Sequence, residues 1–220
     1  MEHRLISSYL FAKQVVEARG FGDEIRWQED VTFEDLDETS FLREIAWVIL
    51  SSGMKESIVR RVFPDVSKCF FDWTSSPLIV LNRKVCLRNA LRIFNSRRKM
   101  LAIISAAQRI SDSGFEEIKN SIARDPFGFL MEFDFVGPIT VYHLAKNIGL
   151  DVAKPDRHLV RIASIDGYDD VQEFCRQISH LTGDSVAVVD IVLWRFATIE
   201  PHYLNLFSES VREGSSPLNW

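Results

Sequence analysis

The spacing of apolar side chains predicts helices along most of this 220-residue chain. Over residues 41–50 apolar side chains fall on almost every side of a helix, which predicts a buried helix capped by Thr39 or Ser40. A second strongly apolar helix is predicted over 185–198. Because we find no clear set of strands, we predict an all-α fold of about ten short helices.

Two stretches interrupt this helical pattern. Apolar and polar residues alternate over 25–33, which predicts a short extended segment. Pro64 lies between Phe63 and Asp65, and a proline inside a helical pattern predicts a break there.

Residues 133–149 combine a tight turn with an amphipathic helix. Gly137 supplies the backbone freedom that a tight turn needs, and Pro138 suits the first position of the next helix. That helix is expected to end at Gly149. Two helices joined by a short glycine turn direct backbone N–H groups outward, which is a geometry that binds phosphate.

Asp156 follows Gly137 by 19 residues and opens a further helix after Pro155. A turn that binds phosphate, followed by a carboxylate at a helix start, predicts a site for chemistry on a nucleotide.

Five segments resemble the helix-hairpin-helix DNA glycosylase superfamily, in particular its endonuclease III and 3-methyladenine DNA glycosylase branches. They occur in the family's order and cover about residues 40 to 198: FLREIAWVILSSGMKES (41–57), NSRRKMLAIISAAQRI (95–110), FDFVGPIT (133–140), KPDRHLVR (154–161) and AVVDIVLWRF (187–196).

The resemblance implies one domain over residues 1–220, built as a two-lobed helical bundle that contains the hairpin over 133–149. It places one lobe at about 45–155, and builds the other from 1–44 together with 156–207. We predict that residues 208–220, rich in Gly, Ser and Pro, form a loose tail.

The resemblance also implies roles for individual residues. Asp156 would be the catalytic carboxylate. The residues implied to bind DNA are Val136, Gly137, Pro138, Ile139, Thr140, Arg157 and Arg161, with Met54 and Lys55 in the loop where the family has a glutamine that fills the gap left by an extruded base. The residues implied to line a base pocket are His143, Trp47 and Trp194.

This chain departs from the family pattern at three hairpin positions. Ile139 stands where bifunctional members have a lysine, so water would be the nucleophile and no strand cleavage would follow. Phe135 replaces the first glycine of the motif, and Asp134 replaces its usual proline. Both changes are expected to weaken the grip on phosphate.

The net charge of −5 argues mildly against non-specific binding of nucleic acid, but the charges are unevenly distributed. Between Trp73 and Ile110 there is no acidic residue, while eight cations occur: Arg83, Lys84, Arg88, Arg92, Arg97, Arg98, Lys99 and Arg109. Such a segment can attract a polyanion, and the alternative is a solvated basic face.

The three cysteines and five histidines show no metal-ligand spacing, so we expect no iron–sulfur cluster and no zinc. No signal peptide or membrane span is evident. We therefore expect an intracellular, cytoplasmic monomer, associated with the nucleoid if the source is bacterial, whose partner is double-stranded DNA with a damaged base and not a membrane.

Three functions remain open on the sequence alone. The first is a monofunctional DNA glycosylase acting in base excision repair, with an alkylated purine as the favoured base. The second is a helix-hairpin-helix protein that binds DNA or an abasic site without excision. The third is an interaction domain that does not bind DNA.

Overall fold

The computed structural model describes residues 2–208, except for the side chain of Glu2. Residues 209–220, nearly all of the predicted loose tail, lie outside the described residues. All regular structure within 2–208 is helical and no strand occurs there, which confirms the all-α prediction. None of these helices is both long enough and apolar enough to cross a lipid bilayer.

The α-helices in chain order are α1 (Glu2–Val16), α2 (Gly22–Asp30), α3 (Glu38–Ser51), α4 (Glu56–Cys69), α5 (Ser76–Leu81), α6 (Arg83–Ile93), α7 (Arg97–Ser113), α8 (Phe115–Arg124), α9 (Pro126–Leu130), α10 (Thr140–Asn147), α11 (Arg157–Ile165), α12 (Val171–Thr182), α13 (Val186–Ile199) and α14 (Leu204–Phe207). A π-helical turn, Glu17–Phe21, joins α1 to α2, and a 3₁₀ turn, Phe71–Trp73, follows α4.

The chain divides into two compact units. Residues 2–31 and 151–208 form the first unit, and Thr32–Leu150 forms the second. These boundaries differ from the predicted ones at about 45 and 155. Helix α3 is one continuous element that packs on α7 and α10, so residues 32–44 belong with the second unit.

The core of the first unit forms around α13. Ser185 caps this helix by accepting a hydrogen bond from the Val188 backbone N–H, and helices α1, α2, α11 and α12 pack against it. Large buried side chains fill the space between these helices, among them Tyr9, Phe174 and Leu193.

The core of the second unit forms around α3 and α7. Asp37, rather than Thr39 or Ser40, caps α3, because its carboxylate accepts a hydrogen bond from the Ser40 N–H (2.7 Å). The same bond lowers the pKa of Asp37. Buried Glu44 of α3 accepts a hydrogen bond from the Asn147 amide of α10 (2.8 Å), which ties the hairpin to the core.

Two local predictions were wrong. Residues 25–33 are not extended: most of them continue α2, in which Ile25 and Gln28 are buried one helical turn apart. Helix α4 runs through Pro64 without a break. A proline removes only one backbone donor, and burial of Phe63 and Val66 on either side stabilises the continuous helix.

Candidate active site and nucleic-acid interface

Asp156 is the N-cap of α11, as the sequence predicted for the start of this helix. One oxygen of its carboxylate, Oδ1, accepts hydrogen bonds from the backbone N–H groups of His158 (2.8 Å) and Leu159 (3.1 Å). The other oxygen, Oδ2, accepts none from any described residue. The residue is half-buried, and its carboxylate therefore has one oxygen fixed by two hydrogen bonds and one oxygen without a donor among residues 2–208.

Three side chains brace the loop that presents Asp156. The side-chain oxygen of Gln172, on α12, accepts a hydrogen bond from the Ala153 N–H (3.0 Å). The side-chain nitrogen of Gln172 donates a hydrogen bond to the Ala153 carbonyl. Asp190 of α13 accepts the backbone N–H of Lys154 (2.7 Å). Asp151 accepts the N–H of Ala187 at the start of α13 (2.9 Å). Every bond pairs the loop with a helix of the core, which restricts where the carboxylate can move.

Sequence reasoning did not identify Gln172 and Asp190 as parts of the site. Asp190 carried a signal, since it is an acidic residue within a strongly apolar helix and lies buried there. Such a group is almost always bonded to a specific partner.

Two arginines and a histidine follow Asp156 on α11, and Arg157 is bonded to the histidine, His158. Arg157 and Arg161 are both exposed on α11. The Nε–H of Arg157 donates to His158 Nε2 (3.3 Å), so this nitrogen is an acceptor in neutral His158. The proton of neutral His158 then lies on Nδ1, which donates to the hydroxyl of Tyr203 (3.0 Å). Burial lowers the pKa of His158, outweighing the opposing effect of Asp156.

The lowered pKa of His158 predicts an acid-sensitive fold. The His158 imidazole takes up a proton near pH 6.5 in the unfolded chain, and only at lower pH in the folded chain. The stabilisation of the fold by neutral His158 is therefore present above about pH 6.5 and is lost as the pH falls below it. We expect His158→Gln to reduce the loss of unfolding free energy between pH 7.5 and pH 5.5, measured by urea denaturation. Substitution of exposed His180 by Gln is the matched control, and an equal effect of both variants would contradict the prediction.

Trp194, a predicted pocket residue, belongs to the same unit as Asp156. It is half-buried against the core, with the guanidinium of Arg195 over its ring at 4.5 Å. Arg195 also forms two hydrogen bonds of 2.8 Å with Glu24. The ring therefore lies within a packed cation–π cluster.

The hairpin turn lies between α9 and α10 in the second unit, and its backbone differs from the prediction. Phe135, rather than Gly137, has the left-handed conformation, with a φ of 67°. Pro138 is not the first helical residue, because α10 begins two residues later at Thr140. The end of the helix agrees with the prediction, since Gly149 follows with a φ of 93°. An aromatic residue at positive φ is strained and must be held by its neighbours.

The hairpin turn offers fewer donors than predicted. The N–H of Gly137 donates to Thr140 Oγ1 (2.7 Å) and the N–H of Val136 to the Phe133 carbonyl (3.1 Å), so neither is available. The N–H groups of Ile139 and Thr140 have no acceptor among residues 2–208. The Val136 side chain is buried, whereas Ile139 is 51% exposed.

The loop between α3 and α4 carries Met54 and Lys55, both exposed. Gly53 has a φ of 69°, and the Met54 N–H donates to the Ser51 carbonyl (3.0 Å), which shapes a tight turn. Met54 is 39% exposed at the tip.

Buried Lys99 connects this loop to the hairpin turn. Its ammonium donates to the carbonyls of Leu50 and Ser52, each at 2.6 Å, at the end of α3. The Lys99 ammonium also lies 5.7 Å from the centroid of the Phe135 ring. The guanidinium of Arg98 lies over the same ring, 5.8 Å from its centroid. The second unit therefore brings the Met54 loop and the hairpin turn together around one amino group, whose pKa burial lowers.

Lys99 and Arg109 were predicted to lie among the cations of a basic segment, but neither is a free surface cation: Lys99 is buried and Arg109 is paired. Lys99 shares the buried side of α7 with Ile103 and Ile110, a helical spacing that could have revealed its burial. Arg109 forms an ion pair with Glu132 and lies over the rings of Phe129 and Phe133.

The two other predicted pocket residues lie in the second unit. Trp47 of α3 is half-buried and packs edge-on against Phe63, with the ring centroids 5.1 Å apart. His143 of α10 is half-buried. Within residues 2–208 no three His, Cys, Asp or Glu side chains are grouped so that they could hold a metal ion.

Comparison of the chain with protein-family models, curated proteins and solved structures found no match.

Proposed function

We propose that this protein is a monofunctional DNA glycosylase that hydrolyses the N-glycosidic bond of a damaged or modified base, with an alkylated purine as the favoured substrate. The observation that carries the proposal is the carboxylate of half-buried Asp156, held at Oδ1 by two backbone N–H groups, while Oδ2 has no hydrogen-bond donor among the described residues. The proposed partner is double-stranded DNA.

The proposed reaction uses Asp156 as a fixed negative charge. As the bond from C1′ to the base nitrogen breaks, its electron pair leaves with the base and positive charge develops on the sugar. A carboxylate that is already oriented stabilises this charge without reorganising. Water then adds to C1′, and its proton passes to Asp156 or to solvent.

The surroundings of Asp156 favour a leaving base that is already cationic. His158 is the histidine of residues 154–161, and both of its ring nitrogens are bonded to neighbours. Its lowered pKa makes it a poor proton donor at neutral pH. An alkylated purine with a positive charge leaves without being protonated, so it suits a site in which the nearby imidazole of His158 is a poor proton donor.

The absence of an amine at the hairpin supports water as the nucleophile. Ile139 is exposed in the turn, at the position where a lysine would attack the sugar. Lys146, the next lysine along α10, is buried.

The proposal predicts base release without strand cleavage. We expect duplexes carrying single lesions to yield abasic sites that become breaks only after heat or alkali, with alkylated purines as the best substrates. Denaturing gel electrophoresis with and without alkali measures both steps. Strand scission before alkali treatment would contradict the monofunctional mechanism, and intact duplex across a broad lesion panel would contradict the enzyme itself.

The hairpin turn is expected to bind backbone phosphate through the N–H groups of Ile139 and Thr140. We expect Ile139→Glu to weaken binding to abasic-site duplex about tenfold, because it places a negative charge where a phosphate would lie. Fluorescence anisotropy at several salt concentrations measures the effect. Leu10→Glu is the matched control, because Leu10 is an aliphatic residue that is also about half exposed and is not among the proposed DNA-binding residues, and the prediction fails if the two variants bind equally.

A second function, binding of DNA or abasic sites without excision, is favoured by one observation. The bonds that Asp156 makes are those of an ordinary helix N-cap, so its presence is also explained by the stability of α11. This function predicts binding to abasic-site duplex with no base release from any lesion.

A further inference from the structure

Helix α6 carries three cations on one side, which we call the α6 stripe: Lys84, Arg88 and Arg92. They are four residues apart, so they lie in one row on the helix surface. All three are exposed, and the opposite side of the helix, with Cys86 and Ala90, is buried.

No described residue neutralises the α6 stripe. None of its three members forms an ion pair or hydrogen bond with a side chain of residues 2–208, although the whole chain contains more acidic than basic residues. Three other exposed cations of the same unit have acidic partners: Arg60 pairs with Glu56, Lys68 with Asp65, and Arg124 with Glu117.

Like charges at this spacing repel, so the α6 stripe destabilises the helix on which it lies. At the start of α7, Arg97 and Arg98 add two exposed cations where the helix dipole already favours negative charge. Both features become favourable when an external polyanion is present.

The α6 stripe is connected to the hairpin turn through α7. A short turn at 94–96 joins α6 to α7, and the two helices pack together. Arg98, in the first turn of α7, lies over the ring of Phe135 in the hairpin turn. Cations therefore continue from α6 to the proposed phosphate-binding turn within one unit.

We propose that the α6 stripe binds the phosphates of duplex DNA outside the segment gripped by the hairpin turn. The three cations span about 12 Å along the helix axis, over which one DNA strand presents about three to four phosphates. The inference rests on the proposed binding of DNA, but it does not depend on base excision. It assigns a second DNA-contacting surface on α6, distinct from the hairpin turn.

The test compares two charge-reversal variants of equal net charge. The stripe variant is Arg88→Glu with Arg92→Glu, and the control is Lys68→Glu with Arg124→Glu, two exposed cations of the same unit that have acidic partners. The probe is an undamaged fluorescent duplex of about 30 base pairs, titrated over a series of salt concentrations. Thermal melting and circular dichroism establish that each variant is folded, and Arg88→Gln with Arg92→Gln serves if the reversal prevents folding.

We expect the stripe variant to bind at least tenfold more weakly than the control at low salt. The slope of log affinity against log salt should become shallower by about 1.8, because two phosphate contacts are lost. Equal affinities and slopes for the two variants would overturn the inference, and so would a loss of binding to phosphatidylserine vesicles with unchanged binding to DNA.

The outcomes separate this inference from the proposed function. If wild-type protein releases a damaged base and the stripe variant binds like the control, the α6 proposal fails and the glycosylase proposal stands. If binding to duplex depends on the α6 stripe but no base is released, the α6 proposal stands and the glycosylase proposal fails. If wild-type protein binds no duplex at low salt, both proposals fail.

Discussion

Asp156→Asn is expected to abolish base release while leaving the fold and the binding of abasic-site DNA unchanged. Asparagine caps a helix about as well as aspartate, so the bonds to the His158 and Leu159 N–H groups can persist. What disappears is the negative charge that stabilises the developing cation on the sugar. Loss of one such preorganised group lowers the rate by about 10²–10³-fold.

The matched control is Asp170→Asn. Asp170 is also the N-cap of a helix in the first unit, and its carboxylate accepts the Gln172 N–H (2.9 Å), but it is exposed and is not part of the proposed site. Single-turnover base release from a lesion-bearing duplex should fall only for the Asp156 variant. If Asp156→Asn retains more than about a tenth of the wild-type rate, the catalytic role is wrong and the N-cap role is sufficient.

Lys99→Met is expected to destabilise the protein by about 2–3 kcal/mol, because the carbonyls of Leu50 and Ser52 would lose a charged hydrogen-bond donor in a buried site. Methionine retains an apolar side chain of similar length, so the loss comes mainly from the polar interaction. Urea denaturation measures the free energy of unfolding. We also expect weaker binding to abasic-site duplex, since Lys99 holds the loop that carries Met54.

Lys119→Met provides the comparison for Lys99. Lys119 also donates to two carbonyls, those of Glu34 (2.6 Å) and Leu36 (3.1 Å), but it is only half-buried. Water can replace its ammonium there, so the expected loss is below about 1 kcal/mol. If Lys99→Met and Lys119→Met lower the free energy of unfolding equally, burial of Lys99 does not determine how much its removal destabilises the protein.

Some elements of the proposed site were predictable because their signals are local. The cap at Asp156 follows from a polar residue that directly precedes a helical apolar pattern, and the end of α10 follows from Gly149. Pro64 shows the limit of such rules, because burial of its neighbours outweighs one missing backbone donor.

The details of the hairpin turn could not be predicted in this way. A glycine is the usual residue at positive φ, yet Phe135 takes that conformation here, with Arg98 and Lys99 facing its ring. The Gly137 N–H donates a hydrogen bond to Thr140 Oγ1, although the sequence predicted that this N–H would be available to a ligand. Both outcomes depend on side chains that are distant in sequence or on the exact path of the turn.

Local sequence patterns were enough to predict the all-α class, the burial of α3, the strongly apolar character of α13, and the helix start at Asp156. Each of these follows from short-range periodicity and capping, which act within a few residues. The three-dimensional structure was needed to show that the Lys99 ammonium binds the Leu50 and Ser52 carbonyls, and that Lys84, Arg88 and Arg92 have no acidic partner among residues 2–208. Hydrogen-bond partners and charge pairing are set by residues far apart in the chain, and the spacing of residues along the sequence does not encode them directly.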